Sequence, residues 1–250
     1  MPQIETPPAN VEIAGPDEDE IDGQIFYLPS YLKARARRAY RQSKRVRTRL
    51  SLVAATAAQM DSVGYERLTI EGIVEDAHLA RGTFYLYFAN RSEAAMAVRR
   101  AFVAMMRIRR PRSSRKMSRY KSILRVNRFY VACYKRNARL LQGQEALMHD
   151  RPELSHSRDF LNHRWAKVIL RDVARANGLQ AEDVLQPRSL IAARAAIAMA
   201  DELLRETFVN DNPLLMGIAQ NDDEIAEVMS ILWYRALYGH HPPDAPALLG

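Results

Sequence analysis

The chain has 250 residues, 48% hydrophobic and with only 10 glycines, which is enough apolar material for a core and too few turn formers for an all-β protein. Lys and Arg number 37 against 29 Asp and Glu, a formal charge of +8 that suits an anionic partner without requiring one. The single cysteine, Cys133, excludes an internal disulfide, no apolar run reaches the roughly 18 residues of a membrane span, and the acidic N-terminus lacks a signal peptide's apolar segment.

Charge is segregated at the start of the chain. Residues 1–22 hold Glu5, Glu12, Asp17, Glu18, Asp19, Glu20 and Asp22 and no base, so the expectation is an acidic, disordered tail over 1–32. The sign then inverts with Lys33, Arg35, Arg37, Arg38, Arg41, Lys44, Arg45, Arg47 and Arg49, again without an opposite charge. Residues 33–44 read as a basic arm that either extends the next helix backwards or forms a helix of its own. Two uses stay open: an arm that tracks phosphates or enters the minor groove, or a solvated basic tail with no defined contact. The acidic tail could also fold over the arm and compete with nucleic acid.

A helix is expected from Arg45 to Val63, with Leu50, Val53, Ala54, Ala57 and Ala58 on its buried face and Gly64 ending it. Ile70, Ile73, Val74 and Ala77 then fall at i, i+3, i+4 and i+7, one apolar face of a second helix that Thr69 can cap. The pattern breaks at His78-Leu79-Ala80 and resumes over Arg81–Phe88, a segment too short to fold alone. Asn90 and Glu93 have the spacing of a capping box that opens another helix. Two short helices joined by a three-residue turn are the geometry of a helix-turn-helix, whose second helix lies in the DNA major groove. Arg81, Gly82 and Thr83 stand at the N-terminus of that second helix, nearest the base edges. Arg81 could read a guanine bidentately, and Thr83 could meet a phosphate or a thymine methyl.

From about Arg45 to Met96 the sequence resembles the TetR family of bacterial transcriptional repressors. The resemblance rests on Gly64-Tyr65 ahead of Thr69 and on a recognition helix ending Tyr85-Leu86-Tyr87-Phe88. It departs from the family at His78 and Ala80, where a glycine and a small hydroxyl residue are usual. His78 can hold the left-handed turn, and Ala80 removes a phosphate contact. The resemblance implies that Phe84 is core and that Tyr85, Tyr87 and the residue between them face DNA, with buried packing as the other reading for either tyrosine. It further implies phosphate contacts from Arg91 and from the backbone N–H of Thr69. With Lys44, Arg45 and Arg47, these complete the expected DNA-binding set over a domain spanning 45–91.

Beyond Ser92 the pattern is helical throughout, over 92–110, 118–136, 138–149, 155–177, 188–209 and 222–239, with Pro111, Asn177-Gly178 and Asn212-Pro213 as breakers. Residues 107–128 are again basic, which reads as a solvated face rather than a second DNA site. The expected fold is all-α: a three-helix helix-turn-helix domain, then a helical ligand-binding and dimerisation domain over 92–240 and a short tail over 241–250. The helix over 188–209 carries apolar faces on two sides, Leu190, Ile197, Leu204 and Phe208 on one and Ile191, Ala195 and Ala198 on the other, and the last helix repeats Ile225, Val228, Met229 and Leu232 at helical spacing. That implies burial against a partner, with monomer core as the alternative. The family resemblance makes the partner a second copy, the dimer reading a palindromic operator on double-stranded DNA.

On 118–136, Asn127 interrupts an apolar stripe that includes Tyr130 and Tyr134. It either orients a ligand or is a satisfied internal amide. Phe102, Met106, Trp165 and Met199 could line an adaptable cavity with them, as could Met105, Phe129 and Met148, or could be plain core. The resemblance implies a small apolar or amphipathic effector there that releases DNA. A DNA-binding protein of the same fold controlled by a protein partner, or acting architecturally, is the alternative. His149, His156, His163, His240 and His241 lack metal-ligand spacing, and neither a phosphate loop nor a nucleophile elbow occurs. No catalytic residue, metal or cofactor is expected, and the place of action is the bacterial cytoplasm, on the nucleoid.

Overall fold

In the computed structural model the described residues are 26–111, 116–150, 153–218 and 221–248, and their regular structure is entirely helical, with no strand among them. The acidic run over 1–22 lies outside the described residues, as do His149 and His156 in their side chains. The basic arm is a helix of its own, α1 (Leu28–Arg38), followed by a 3-10 turn over Ala39–Arg41. Leu28 and Leu32, one helical turn apart, are fully buried and hold it against the protein. Residues 28–32, which the sequence reading placed in the tail, therefore belong to this helix.

Helix α2 (Lys44–Val63) starts at Ser43, whose hydroxyl accepts from the Val46 N–H, and ends at Gly64, whose φ of +81° is a glycine conformation. Val53 and Ala57 are buried as expected, but so are Leu52, Ala55, Thr56 and Met60 on other sides. Leu50, Ala54 and Ala58 are only half-buried. The helix is enclosed by α1, by α3 (Ile70–Asp76), by α5 (Arg91–Arg109) and by α7 (Ala138–Asp150), so a single stripe underestimates its contact. Between α3 and α5 lies the short α4 (Arg81–Tyr85). Asn90 accepts from Glu93 N at 2.9 Å while the Glu93 carboxylate takes the Ala89 N–H at 2.7 Å, so both orphan donors at the start of α5 are satisfied.

The C-terminal part comprises α6 (Arg119–Arg136), α7, α8 (Glu153–Asn177), α9 (Ala181–Val184), α10 (Pro187–Leu204), α11 (Pro213–Ile218) and α12 (Asp222–Tyr238). The helix expected over 188–209 changes winding at Arg205, where five residues form a π-helical turn closed by Asn210 N to Arg205 O at 2.9 Å. The extra residue turns both Phe208 and Val209 inward, at 7% and 1% exposure, towards two different cores.

One core runs from the head into the C-terminal part: Met60, Leu68, Ile73, Phe84 and Phe88 share it with Met105, Leu140, Leu147 and Val209. Gly143 of α7 makes this approach close, since a Cβ there would stand 3.3 Å from Met60 Cε and from Tyr65 Cβ and N. Two further clusters join α6, α10 and α12, and α8, α9 and α10.

Candidate nucleic-acid interface and regulatory cavity

The turn between α3 and α4 is set by local hydrogen bonds. Thr69 caps α3 through Gly72 N at 3.1 Å, and Leu79 N reaches Val74 O at 2.9 Å around His78, which holds φ +54°. That is the left-handed residue the turn needs, here supplied by histidine rather than glycine. Ala80 gives α4 no side-chain cap, so the short helix depends on packing. Phe84 and Phe88, at 0% and 1% exposure, provide it, and they turn the opposite face outward.

That outward face carries Arg81, Gly82, Tyr85 and Leu86, the last two 48% and 78% exposed, with Thr83 half-exposed. Tyr87 is half-buried against the core, so packing accounts for much of its ring. The Arg81 guanidinium lies 2.6 Å from Glu71 of α3 and donates to the Tyr85 hydroxyl at 3.4 Å. Tyr85 and then Glu71 reinforce its positive charge. A duplex entering here would have to compete with an exposed ion pair, which solvent screens. Lys44, Arg45 and Arg47 are exposed on the first turn of α2.

Arg91 departs from its expected role. Its Nη1 donates to the carbonyls of Glu66 at 2.9 Å, Leu68 at 2.8 Å and Tyr65 at 3.4 Å, and its charge lies over the Tyr65 ring. The loop after Gly64 leaves those three carbonyls without helical partners; Arg91 meets all of them, sharing Tyr65 O with the Leu68 N–H at 3.2 Å. It braces the loop that carries Thr69 rather than standing clear for a phosphate.

The C-terminal part encloses a cavity of about 1120 Å³ among α5, α6, α7, α8, α10 and α12. Of the expected lining residues, Phe102, Met106, Asn127, Tyr130, Tyr134, Trp165 and Met148 border it. Met199, Met105 and Phe129 do not: Met105 and Phe129 belong to the core shared with the head, and the α10 residues at the wall are its neighbours Ala198, Ala200 and Asp201. Asn127 donates to Ser230 Oγ at 2.9 Å, which satisfies the internal-amide reading of that residue. Burial pushes the Tyr130 hydroxyl up to about 12, so it stays a neutral hydrogen-bonding group. Sequence reasoning missed Asp201, which accepts from Tyr134 at 3.3 Å and from Asn162 at 3.4 Å. Its signal was there: an acid one turn beyond Ile197 in an alanine-rich helix. It also missed Gln144 and Arg205 at the cavity wall.

The expected dimer residues divide. Ile191 is 69% exposed, Val228 37%, Ala195 and Ala198 are exposed, and Leu232 is half-buried. Ile225 and Met229 instead face inward, 9% and 0% exposed, against Tyr120, Leu124 and Leu204. The apolar stripe of α12 is wider than one face. Its Ile225–Met229 edge is monomer core because α6 lies along it.

Among the described residues no group of three or more His, Cys, Asp or Glu could hold a metal, and no helix is long and apolar enough to cross a membrane. Burial raises the Cys133 thiol to about 12, which keeps it protonated and inert.

Residues 52–95 match the family model described as bacterial regulatory proteins, tetR family. No curated protein matches the sequence. Among solved structures, the chain is similar to a TetR-like transcriptional regulator from Rhodococcus sp. RHA1, at 15% identity and a TM-score of 0.48, over 80% of this chain and 100% of that one. It is also similar to the fatty acid degradation regulator FadR from Bacillus halodurans, at 15% identity and a TM-score of 0.48, over 78% of this chain and 97% of that one. The family match falls on α2 to α5, the segment that builds the helix-turn-helix and the brace behind it. The likeness to tetR-family bacterial regulatory proteins therefore lies in the segment that folds as the helix-turn-helix.

Proposed function

We propose that this chain is a DNA-binding transcriptional regulator of the TetR kind, a homodimeric repressor that reads a palindromic operator through α4 and is released when a small apolar or amphipathic molecule occupies the cavity. The observation that carries the reading is the coexistence of an exposed α4 face with a cavity of about 1120 Å³ behind the same core, whose wall mixes aromatic and aliphatic side chains with charged ones. Arg81 and Thr83 reach base edges, Gly82 lets the backbone approach, and Tyr85 lies along the duplex. Lys44, Arg45 and Arg47 neutralise phosphates, and the backbone N–H of Thr69 donates a hydrogen bond to one. The exposed faces of α10 and α12, centred on Ile191, Ala195, Ala198 and Val228, pair with their copies about a two-fold axis and so set the half-site spacing. The effector acts by binding one arrangement of the two reading heads better than the other. Its cavity shares Leu141, Val209, Phe102 and Met106 with the core under the head, so a change in its filling is felt there. A sealed C-terminal part would have favoured control by a protein partner or an architectural role on the nucleoid, and the cavity weighs against both.

The test is selection of bound duplexes from a fragmented-genome pool, repeated with Arg81→Ala. One recovered palindrome, lost with the variant, supports the reading. Recovery of no preferred sequence by the native protein would sink it.

A further inference from the structure

Helix α1 is seated from both sides. The buried Asn137, between α6 and α7, accepts from Leu28 N at 2.8 Å and donates to Phe26 O at 2.5 Å and Cys133 O at 2.8 Å. Phe26 packs edge-on against Phe129 of α6, the Tyr27 hydroxyl donates to Asp61 of α2 at 2.5 Å, and Arg109 of α5 lies over the Tyr31 ring. A solvated basic tail would have none of these anchors. They hold a helix about 16 Å long in one orientation, with Lys33, Arg35, Arg37, Arg38 and then Arg41 exposed.

Among the described residues the charge on that face is uncompensated. Between residues 26 and 60 the sequence contains no acid. None of the cations from Lys33 to Arg47 has a carboxylate partner among the described residues. In the C-terminal part several exposed cations are paired, Arg128 with Asp223, Lys135 with Asp222, Arg175 with Asp172 and Arg194 with Asp159, and those that are not, such as Lys121, Arg125, Arg164 and Arg171, are spread over two helices rather than gathered in one run. The last turn of a helix favours positive charge, which explains one or two of these residues but not a run that continues through the turn into α2.

The position of the face supplies the partner. Arg37 and Tyr40 line one cleft with Lys44, Arg47, Thr48, Ser51 and Leu79, and Leu79 is in the turn that leads into α4. The basic end of α1 therefore stands directly beside the reading head. We propose that α1 and the turn after it form a second DNA-contacting surface, gripping the sugar–phosphate backbone outside the base pairs that α4 reads. The proposal rests on the reading of α4 as the recognition helix only for where the duplex lies. Tyr40, 64% exposed with Arg41 over its ring, adds a flat contact for a sugar edge. Because Asn137 and Phe129 fix the seat, this grip is held by the C-terminal part as well as by the head.

The experiment compares the full-length native chain with Lys33→Gln, Arg35→Gln, Arg38→Gln, Arg41→Gln combined, and with a charge-matched control, Lys121→Gln, Arg125→Gln, Arg164→Gln, Arg171→Gln, placed on exposed positions of α6 and α8. The salt dependence of affinity is measured on random duplex and on the selected operator, with a hydroxyl-radical footprint on the latter. Every phosphate that the variant no longer neutralises should lower the slope of log K against log salt by about 0.9, so by as much as ~3.6 per protomer. The footprint should shorten at its outer edges with the preferred sequence unchanged, and the control should match the native chain. An α1 variant indistinguishable from the control overturns the proposal. So does a variant that keeps the native DNA slope but loses binding to vesicles rich in anionic lipid, which would reassign the face to a membrane. If the native chain selects no operator, the reading of α4 fails, while the slope on random duplex still decides whether α1 grips DNA. Circular dichroism melts of all three chains establish that the substitutions leave the fold intact.

Discussion

The head and the C-terminal part are built to different standards of completeness. In the head, the loop carbonyls of residues 65, 66 and 68 and the starts of α3 and α5 find side-chain partners, α4 alone among α2 to α5 starting without one: Arg91 serves three carbonyls, and Thr69, Asn90 and Glu93 serve N–H groups. Its aromatic residues Phe84 and Phe88 are sealed. The C-terminal part holds a cavity, a π-helical turn, and the buried polar atoms without partners among the described residues: Tyr120 Oη, Gln144 Nε2 and Trp233 Nε1. Packed interiors behave as bistable or rigid bodies, and voids and unpaired polar groups are where a fold can be shifted at low cost. The contrast assigns rigidity to the part that must hold a register on DNA and deformability to the part that must respond.

Truncation of one aromatic in each region should bring out the difference most strongly. Phe84→Ala opens a void in a sealed core and should cost about 3–5 kcal/mol of unfolding free energy. Trp165→Ala enlarges an existing cavity whose wall can relax, and loses a half-exposed ring beneath Arg110. Its cost should be about 1–2 kcal/mol. Urea denaturation of the two variants checks this, and equal losses would break the comparison.

Alkali tests the seam between the regions. The Tyr27 and Tyr130 hydroxyls and the Cys133 thiol are all raised to about 12 by burial, with Asp61 adding to the effect on Tyr27. A group whose folded value lies above its unfolded value contributes stability that is complete below the unfolded value and is lost as pH climbs through the folded one. The unfolded values are 9.0 for the thiol and 10.0 for the hydroxyls. Stability should therefore hold up to pH 9 and fall steadily towards pH 12. Cys133→Ser should remove the earliest part of that fall. A flat profile between pH 9 and 11 would show that these groups are solvated.

The parts of the fold that were legible in the sequence are those held by near neighbours along the chain. Thr69, the His78 turn and the Asn90–Glu93 cap each act within five residues, and the long C-terminal helices betray themselves by period. What stayed hidden depends on partners far apart. Arg91 reads as a phosphate ligand until the loop carbonyls of residues 65–68 are seen beside it, and α1 reads as an arm until Asn137, more than a hundred residues away, is found capping it. Ile225 and Met229 carried the same periodic signal as Val228, and only the position of α6 decides which of them meets solvent. At the cavity, aromatic residues were foreseeable by type, but Met199 and Asp201 are separated by two positions and take opposite roles because the helix phase, not the residue type, chooses the wall.

The finest test concerns Gly82. A Cβ built there meets nothing within 4 Å, so no protein contact requires glycine at the second position of α4. Alanine loses less backbone entropy in a helix, and Gly82→Ala should stabilise the free protein by about 0.5–1 kcal/mol at most. If α4 enters the major groove by its N-terminus, the same methyl stands between backbone and bases, and affinity for the selected operator should fall while the melting temperature rises. Stability and binding would then move in opposite directions on one substitution, which no general loosening of the fold can produce. Should affinity rise with stability, the N-terminus of α4 does not approach DNA closely, and the outward face of Tyr85 and Leu86 becomes the contact to examine in its place.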